Sequence, residues 1–324
     1  SRVTFTGDDI ALLMTHTKGV DNPDIHKLAW DTFVETTKIA KSQGLYGAGQ
    51  DLLKDAFSGN VRGMGPGSAE IELDERAAEP VIVFAADKCG PGVFNYPLFE
   101  AFANPYHNAG LLLAPDFRAG FTFNIMDVNN TEADSVATLA VPGNYYDICT
   151  LLRDPNHYVI ESVKENATGL ISAVASTSRL HNIAGKYVGK DDPVAIVRTQ
   201  KQFPSTGEIL SPWALAHYTL GDNRGSHHVA VMPVKQGSII SYFDGPTIVS
   251  AAGYCVHEGK LTESVDLFDQ PFWDVIRNKA AEKTLEMRKQ GFYGPAMAGM
   301  DELEYTGVVE NLKRLQEKFV IQKK

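Results

Sequence analysis

The chain has 324 residues, 44% hydrophobic and 22% charged, with 30 Lys+Arg against 40 Asp+Glu for a formal net charge of −10. A chain of this composition buries a sizeable core, which excludes intrinsic disorder. Its acidic balance excludes nucleic acid or an anionic membrane surface as a bulk partner, and no apolar stretch approaches the roughly 20 residues that span a bilayer.

Three cysteines (Cys89, Cys149, Cys255) form no CxxC pair and make an odd count, which points to a reducing cytoplasm rather than a disulfide framework. There is no repeat, low-complexity run or linker, so residues 1–324 read as a single domain. Val3–Phe5 reads as a strand, and the sequence opens inside it at Ser1 without Met, a start expected to be trimmed. Ile10–Met14 is the next strand. Asn22-Pro23-Asp24 then supplies a cap, a first-position proline and a first-turn acid for a helix stopped by Gly44. In that helix Ile25, Leu28, Ala29, Phe33, Ile39 and Ala40 share one face. Further strands are expected at Val81–Ala86, Phe121–Val128, Tyr158–Val163, Leu170–Ser176, Val194–Thr199, Val229–Val234, Ser238–Phe243 and Thr247–Cys255. Asp269-Gln270-Pro271 opens a second long helix ending at Gly291, and a third runs from Gly307 to Phe319. Strands follow one another without intervening helices, and 158–163/170–176 and 229–234/238–243 read as hairpins. The pattern predicts an α+β fold, a largely antiparallel sheet with helices on its faces.

Four segments are dense in chemistry-bearing residues. Gly7-Asp8-Asp9 follows the first strand; adjacent carboxylates repel unless a cation or solvent neutralises them, and hard cations such as Mg²⁺ take carboxylate oxygens. The bland alternative is a solvated turn. The run Val81–Ala86 delivers Asp87 and Lys88 to a sheet rim, as catalytic groups or as a surface ion pair. Ser58–Gly67 holds four glycines and Arg62, suited to an anion or to a flexible loop, and it matches no common nucleotide-binding pattern. Lys186-Tyr187-Val188-Gly189-Lys190-Asp191-Asp192-Pro193 sets an amine beside a tyrosine and two aspartates. If those aspartates bind a cation, the amine loses its proton more easily and is equipped for Schiff-base chemistry; otherwise the segment is a charged surface turn. Arg224-Gly-Ser-His227-His228 is a weaker anion-clamp candidate, Cys89 reads as a small buried residue, and neither a zinc-ligand spacing nor a GxSxG elbow is present.

Taken together, Gly7-Asp8-Asp9, Tyr46 with Gln50 in YGAGQD, SGNVRGMGPG, Asp87-Lys88, GKYVGKDDP, Arg224-Gly-Ser-His and Glu304-Tyr305-Thr306 resemble the archaeal-type bifunctional fructose-1,6-bisphosphate aldolase/phosphatases from residue 5 to about 320. The resemblance implies a four-layer α-β-β-α sandwich, a cytoplasmic homo-octamer and Mg²⁺ as cofactor. It implies condensation of dihydroxyacetone phosphate with glyceraldehyde 3-phosphate to fructose 1,6-bisphosphate, then loss of the 1-phosphate, two steps of gluconeogenesis. On that likeness Lys190 forms the iminium and Tyr187 moves protons, while Asp8, Asp9, Gln50, Asp87, Asp191 and Asp192 hold metal. Lys88, Arg224, Gly59 and Asn60 hold phosphates, and Tyr46, Asp87, Gln200, Asp244 and Tyr305 line the substrate. The family carries an extra strand and helix, bearing an Asp and a His, ahead of the segment matching Val3–Asp9. Two other readings stay open: a Mg²⁺-dependent sugar phosphatase alone, and a non-catalytic phosphosugar-binding subunit.

Overall fold

The computed structural model describes residues 1–45, 67–90, 92–130, 133–155, 157–176, 193–215, 219–223, 227–239, 246–289 and 307–322. It opens on a hairpin, β1 (Arg2–Thr6) and β2 (Asp9–Leu13), followed by helix α1 (Pro23–Ser42). The central strand β3 (Glu79–Asp87) leads to helices α2 (Asn95–Ala103) and α3 (Gly110–Leu113), then to strands β4 (Phe121–Asp127) and β5 (Ser135–Ala140). Helix α4 (Tyr145–Leu152) precedes β6 (Tyr158–Glu165), β7 (Ile171–Ala175) and β8 (Val194–Arg198). Then come α5 (Thr206–Leu210), β9 (Thr219–Asn223), β10 (His227–Pro233) and β11 (Thr247–His257). The short strands β12 (Lys260–Leu261) and β13 (Val265–Asp266), helices α6 (Pro271–Arg288) and α7 (Gly307–Gln316), and β14 (Phe319–Ile321) complete the chain.

The large sheet runs in the order β14-β5-β4-β6-β7-β8-β3-β11-β10-β9, with β12 and β13 pairing β11. Only β10–β11 is parallel among the described pairs, so the α+β, largely antiparallel expectation holds. Inward positions of alternating strands meet the helices on one face: Ile82, Phe84, Phe121, Phe123, Val163, Val197 and Val249 pack with Leu98, Phe102, Ile148, Trp213, Trp273 and Leu315. Fully burying each such side chain is worth about 1.5–3 kcal/mol. The opposite face buries Val81, Ala252, Tyr254 and Val256 with Leu13 of β2 packed against them. The β1–β2 ribbon is pinned there by the Thr6–Ser250 hydroxyl pair at 2.6 Å.

Three details differ from the sequence reading. The 158–163/170–176 hairpin forms as β6–β7, but β10 pairs with β9 and β11, and Ser238–Ile239 is not strand; residues 240–243 lie outside the described residues. Helix α1 starts as expected, with the Asn22 side chain accepting from Asp24 N, yet its buried residues are His26 and Thr37 while Leu28 and Ile39 are exposed. The other residues of the expected face, Ile25, Ala29, Phe33 and Ala40, are half-buried, and His26 reaches Glu70 through Nε2. Helices α2 and α4 and strand β5 were not anticipated; α2 is buried nearly all round and therefore lacks an amphipathic signature.

Candidate active site

The β1–β2 hairpin closes through a two-residue turn, Gly7-Asp8, with Thr6 facing Asp9 across the ladder. Gly7 sits at φ +64, where an L side chain is strained, and a Cβ there would fall 1.7 Å from Asp87 Oδ2. The glycine therefore lets the turn's backbone lie directly over the Asp87 carboxylate. Gly7 N donates to the Ser238 carbonyl at 2.8 Å and Gly237 N to that of Phe5 at 2.9 Å, fixing the hairpin from the far side. Ser238 and Ser250 are supports that no local sequence signal marked, since they lie more than 230 positions from the hairpin they hold.

Asp87 closes β3 and is fully buried. Lys88 follows at φ +61, a left-handed conformation unusual for a residue with a side chain, and its ammonium donates to Asp8 Oδ1 at 2.6 Å and Asp87 Oδ1 at 2.8 Å. Asp8, Asp9 and Asp87 each place a carboxylate oxygen within 4.8 Å of the others. Burial pushes the Asp87 carboxyl above the usual carboxylate range, Lys88 opposes that push, and the Asp8 charge adds to it. Burial works against the Lys88 charge, but the hydrogen bonds and negative charges of Asp8 and Asp87 raise its pKa above the ordinary lysine value. Asp87 Oδ2 is buried without a hydrogen-bond partner among the described residues. Cys89 is buried, its thiol directed at the Asp87 and Ile248 carbonyls at 3.6 Å, as the small-residue reading expects.

The strand order fixes which other segments reach this rim. Ala86 N donates to the Pro193 carbonyl at 3.0 Å, and Ile248 lies opposite Asp87. The described chain leaves at Ser176 and re-enters at Pro193 on this side, where Ser176 N donates to the Val194 carbonyl. Gln200 stands at the other end. Thr199 N donates to the Pro80 carbonyl, so Gln200 is level with the start of β3, roughly 25 Å from Asp87 at about 3.3 Å per residue. Of the sequence-predicted site residues, the structure thus brings Asp8, Asp9, Asp87 and Lys88 together and sets Gln200 apart. Tyr46, Gln50, Gly59, Asn60, Tyr187, Lys190, Asp191, Asp192, Arg224, Asp244 and Tyr305 lie outside the described residues.

The donors of the cluster are all carboxylate oxygens, which suits a hard divalent cation rather than a thiolate- or imidazole-seeking one. Asp87 Oδ2, buried and without a hydrogen-bond partner among the described residues, fits such an ion as well. Fold and site together define an α+β protein whose sheet rim presents an acidic cluster built on the buried Asp87, with a lysine at its edge. The chain belongs to the fructose-1,6-bisphosphatase family, whose sequence profile matches residues 1–320. It is 56% identical over 317 residues to a fructose-1,6-bisphosphate aldolase/phosphatase of Thermus thermophilus, spanning 98% of this chain and 87% of that protein. Proteins of the same name from Ignicoccus hospitalis and Cenarchaeum symbiosum are 48% and 50% identical, spanning 98% and 94% of this chain and 81% and 80% of theirs.

Proposed function

We propose that this chain is a bifunctional enzyme that condenses dihydroxyacetone phosphate with glyceraldehyde 3-phosphate to fructose 1,6-bisphosphate and then hydrolyses the 1-phosphate to give fructose 6-phosphate. The names of its relatives support both activities. The observation that carries the phosphatase half is the Asp8–Asp9–Asp87 carboxylate cluster under the Gly7 turn, with Asp87 Oδ2 buried and without a hydrogen-bond partner among the described residues. Asp8, Asp9 and Asp87 would hold Mg²⁺, with Gln50, Asp191 and Asp192 as further ligands. Bound Mg²⁺ supplies charge that polarises a phosphoryl group and lowers the pKa of an attacking water.

Lys88 has two alternative duties in this reading. With the carboxylates bare, its ammonium neutralises Asp8 and Asp87; with their charge neutralised otherwise, the same ammonium is free to meet a substrate phosphate. For the condensation, the Lys190 amine adds to the ketose carbonyl and water leaves. The resulting iminium withdraws electrons from the adjacent C–H, whose proton Tyr187 takes up. Tyr46, Gly59, Asn60, Arg224, Asp244 and Tyr305 would hold the sugar phosphates. Gln200, in this reading a substrate residue too, stands far from Asp87 within one chain. Assembly into a cytoplasmic homo-octamer of four-layer subunits belongs to the same proposal, drawn from the family resemblance.

Borohydride trapping with dihydroxyacetone phosphate, followed by peptide mapping, tests the reading. A single adduct on Lys190 is expected, together with Mg²⁺-dependent phosphate release from fructose 1,6-bisphosphate. Release without an adduct leaves a phosphatase alone, and binding without turnover of either kind leaves a phosphosugar-binding subunit.

A further inference from the structure

We propose that Asp21, His26 and Glu70 form a second cation site, distinct from the Asp8–Asp9–Asp87 cluster and selective for a divalent transition ion such as Zn²⁺. The three residues offer ligand atoms that all lie within 4.8 Å of one another. They come from separate pieces of chain: Asp21 immediately precedes the α1 cap, His26 is on the first turn of α1, and Glu70 lies 44 positions further on.

The independent observation is the state of the His26 ring. The residue is only 4% exposed, and Nδ1 is buried without a hydrogen-bond partner among the described residues. Its other nitrogen, Nε2, points at Glu70 Oε1. The ring thus turns Nε2, not Nδ1, towards Glu70, and a cation seated between Nε2 and the two carboxylates would take over that contact through the Nε2 lone pair. The opposing carboxylate is already oriented: Glu70 Oε2 accepts from the Asp21 backbone N–H at 2.6 Å, so the group that closes the site is positioned by the residue that opens it.

Donor chemistry sets the ion. One imidazole nitrogen and two carboxylates match Zn²⁺ or a neighbouring transition ion, for which three protein ligands and one exchangeable position are a common set. Mg²⁺ prefers oxygen throughout and belongs at the other cluster. The bland alternative is a buried His–Glu hydrogen bond that ties α1 to the segment ahead of β3 and binds no ion.

The test uses the full chain, stripped with a chelator and dialysed against Zn²⁺ in excess Mg²⁺, with metal content measured by plasma mass spectrometry and unfolding by thermal melts. The wild type is expected to retain one equivalent of Zn²⁺ and to melt at a higher temperature for it. His26→Gln and the near-isosteric Glu70→Gln are expected to lose both the equivalent and the thermal rise, while Asp87→Asn keeps them. Should His26→Gln fail to fold, Glu70→Gln decides. No retained Zn²⁺ in the wild type, equal retention in Glu70→Gln, or loss of the equivalent in Asp87→Asn overturns the proposal.

Discussion

The strand that delivers Asp87 to the rim is anchored at its opposite end by a buried ion cluster, and Glu79→Gln probes it. Glu79 is fully buried; Arg198 donates to it at 3.0 and 2.7 Å and Arg76 at 2.7 and 2.8 Å, both guanidiniums lying over the Phe203 ring. Burial opposes the Glu79 charge, but hydrogen bonds from Arg198 and Arg76 and their positive charges win, lowering its pKa from 4.5 to about 2. Because the folded pKa is depressed, the stabilisation is present above the unfolded value and is lost as pH falls from about 4.5 towards 2. At about 1.4 kcal/mol per pH unit this amounts to about 3 kcal/mol at pH 7, falling to about 1 kcal/mol at pH 3. Breaking a buried pair from one side costs about 3–5 kcal/mol, a range the pH 7 figure falls within. Urea denaturation of wild type and Glu79→Gln at pH 7 and pH 3 should show the gap in stability narrowing by more than half. A gap under 1 kcal/mol at pH 7, or one that does not change with pH, would refute the reasoning.

Asp87→Asn is expected to abolish the Mg²⁺-induced rise in melting temperature, which for a ligand at 100 times its Kd corresponds to about 2.7 kcal/mol in the wild type. Gln200→Ala, at the other end of β3, should leave that rise unchanged; thermal melts with and without Mg²⁺ compare the two. His157 sits 3.0 Å from Asp127 and stacks on Tyr158, and the Asp127 hydrogen bond raises its pKa. That stabilisation is full below pH 6.5 and lost as pH rises through the raised value, so His157→Asn should lower the melting temperature more at pH 6 than at pH 9. An equal loss at both pH values would assign His157 a packing role only.

What could be read in advance follows from how local the governing physics is. The Asn22-Pro23 start of α1 was legible because capping involves neighbours: Asn22 accepts from Asp24 N at 3.1 Å. The end of β3 was legible because an apolar run ends abruptly in two charges, while its start at Glu79, two residues ahead of Val81, was not. The grouping of Gly7-Asp8-Asp9 with Asp87-Lys88 was reached by family resemblance; nothing in either segment encodes that a missing Cβ seats one on the other. The pairing of His26 with Glu70 was invisible, since a single histidine on an amphipathic helix carries no sign of a carboxylate 44 positions away. Helix α2 was invisible for the opposite reason, being so thoroughly buried that no polar face marks its period.

Gln200 shows why closeness to a strand end is a weaker guide than the direction of the strand. In an antiparallel sheet consecutive strands deliver their following residues to opposite rims. The residues after β3 and β7 reach one rim, where β8 and β11 begin; the residues after β8 reach the other. Asp87 and Gln200 both follow closely on long apolar runs, and the runs look alike in sequence. Register decides between them: Ala85 faces Val194 and Val81 faces Arg198, so moving along β8 towards Gln200 is moving along β3 away from Asp87. The Thr199–Gln200 turn is held by Arg76, which donates to both carbonyls at 3.0 and 2.8 Å and is itself paired to Glu79. The Glu79 cluster therefore braces the rim that carries Gln200, and Asp87 depends on it only through the straightness of β3. Disturbing Glu79 should cost global stability before it costs metal binding, which separates the anchor of the sheet from the chemistry at its far edge.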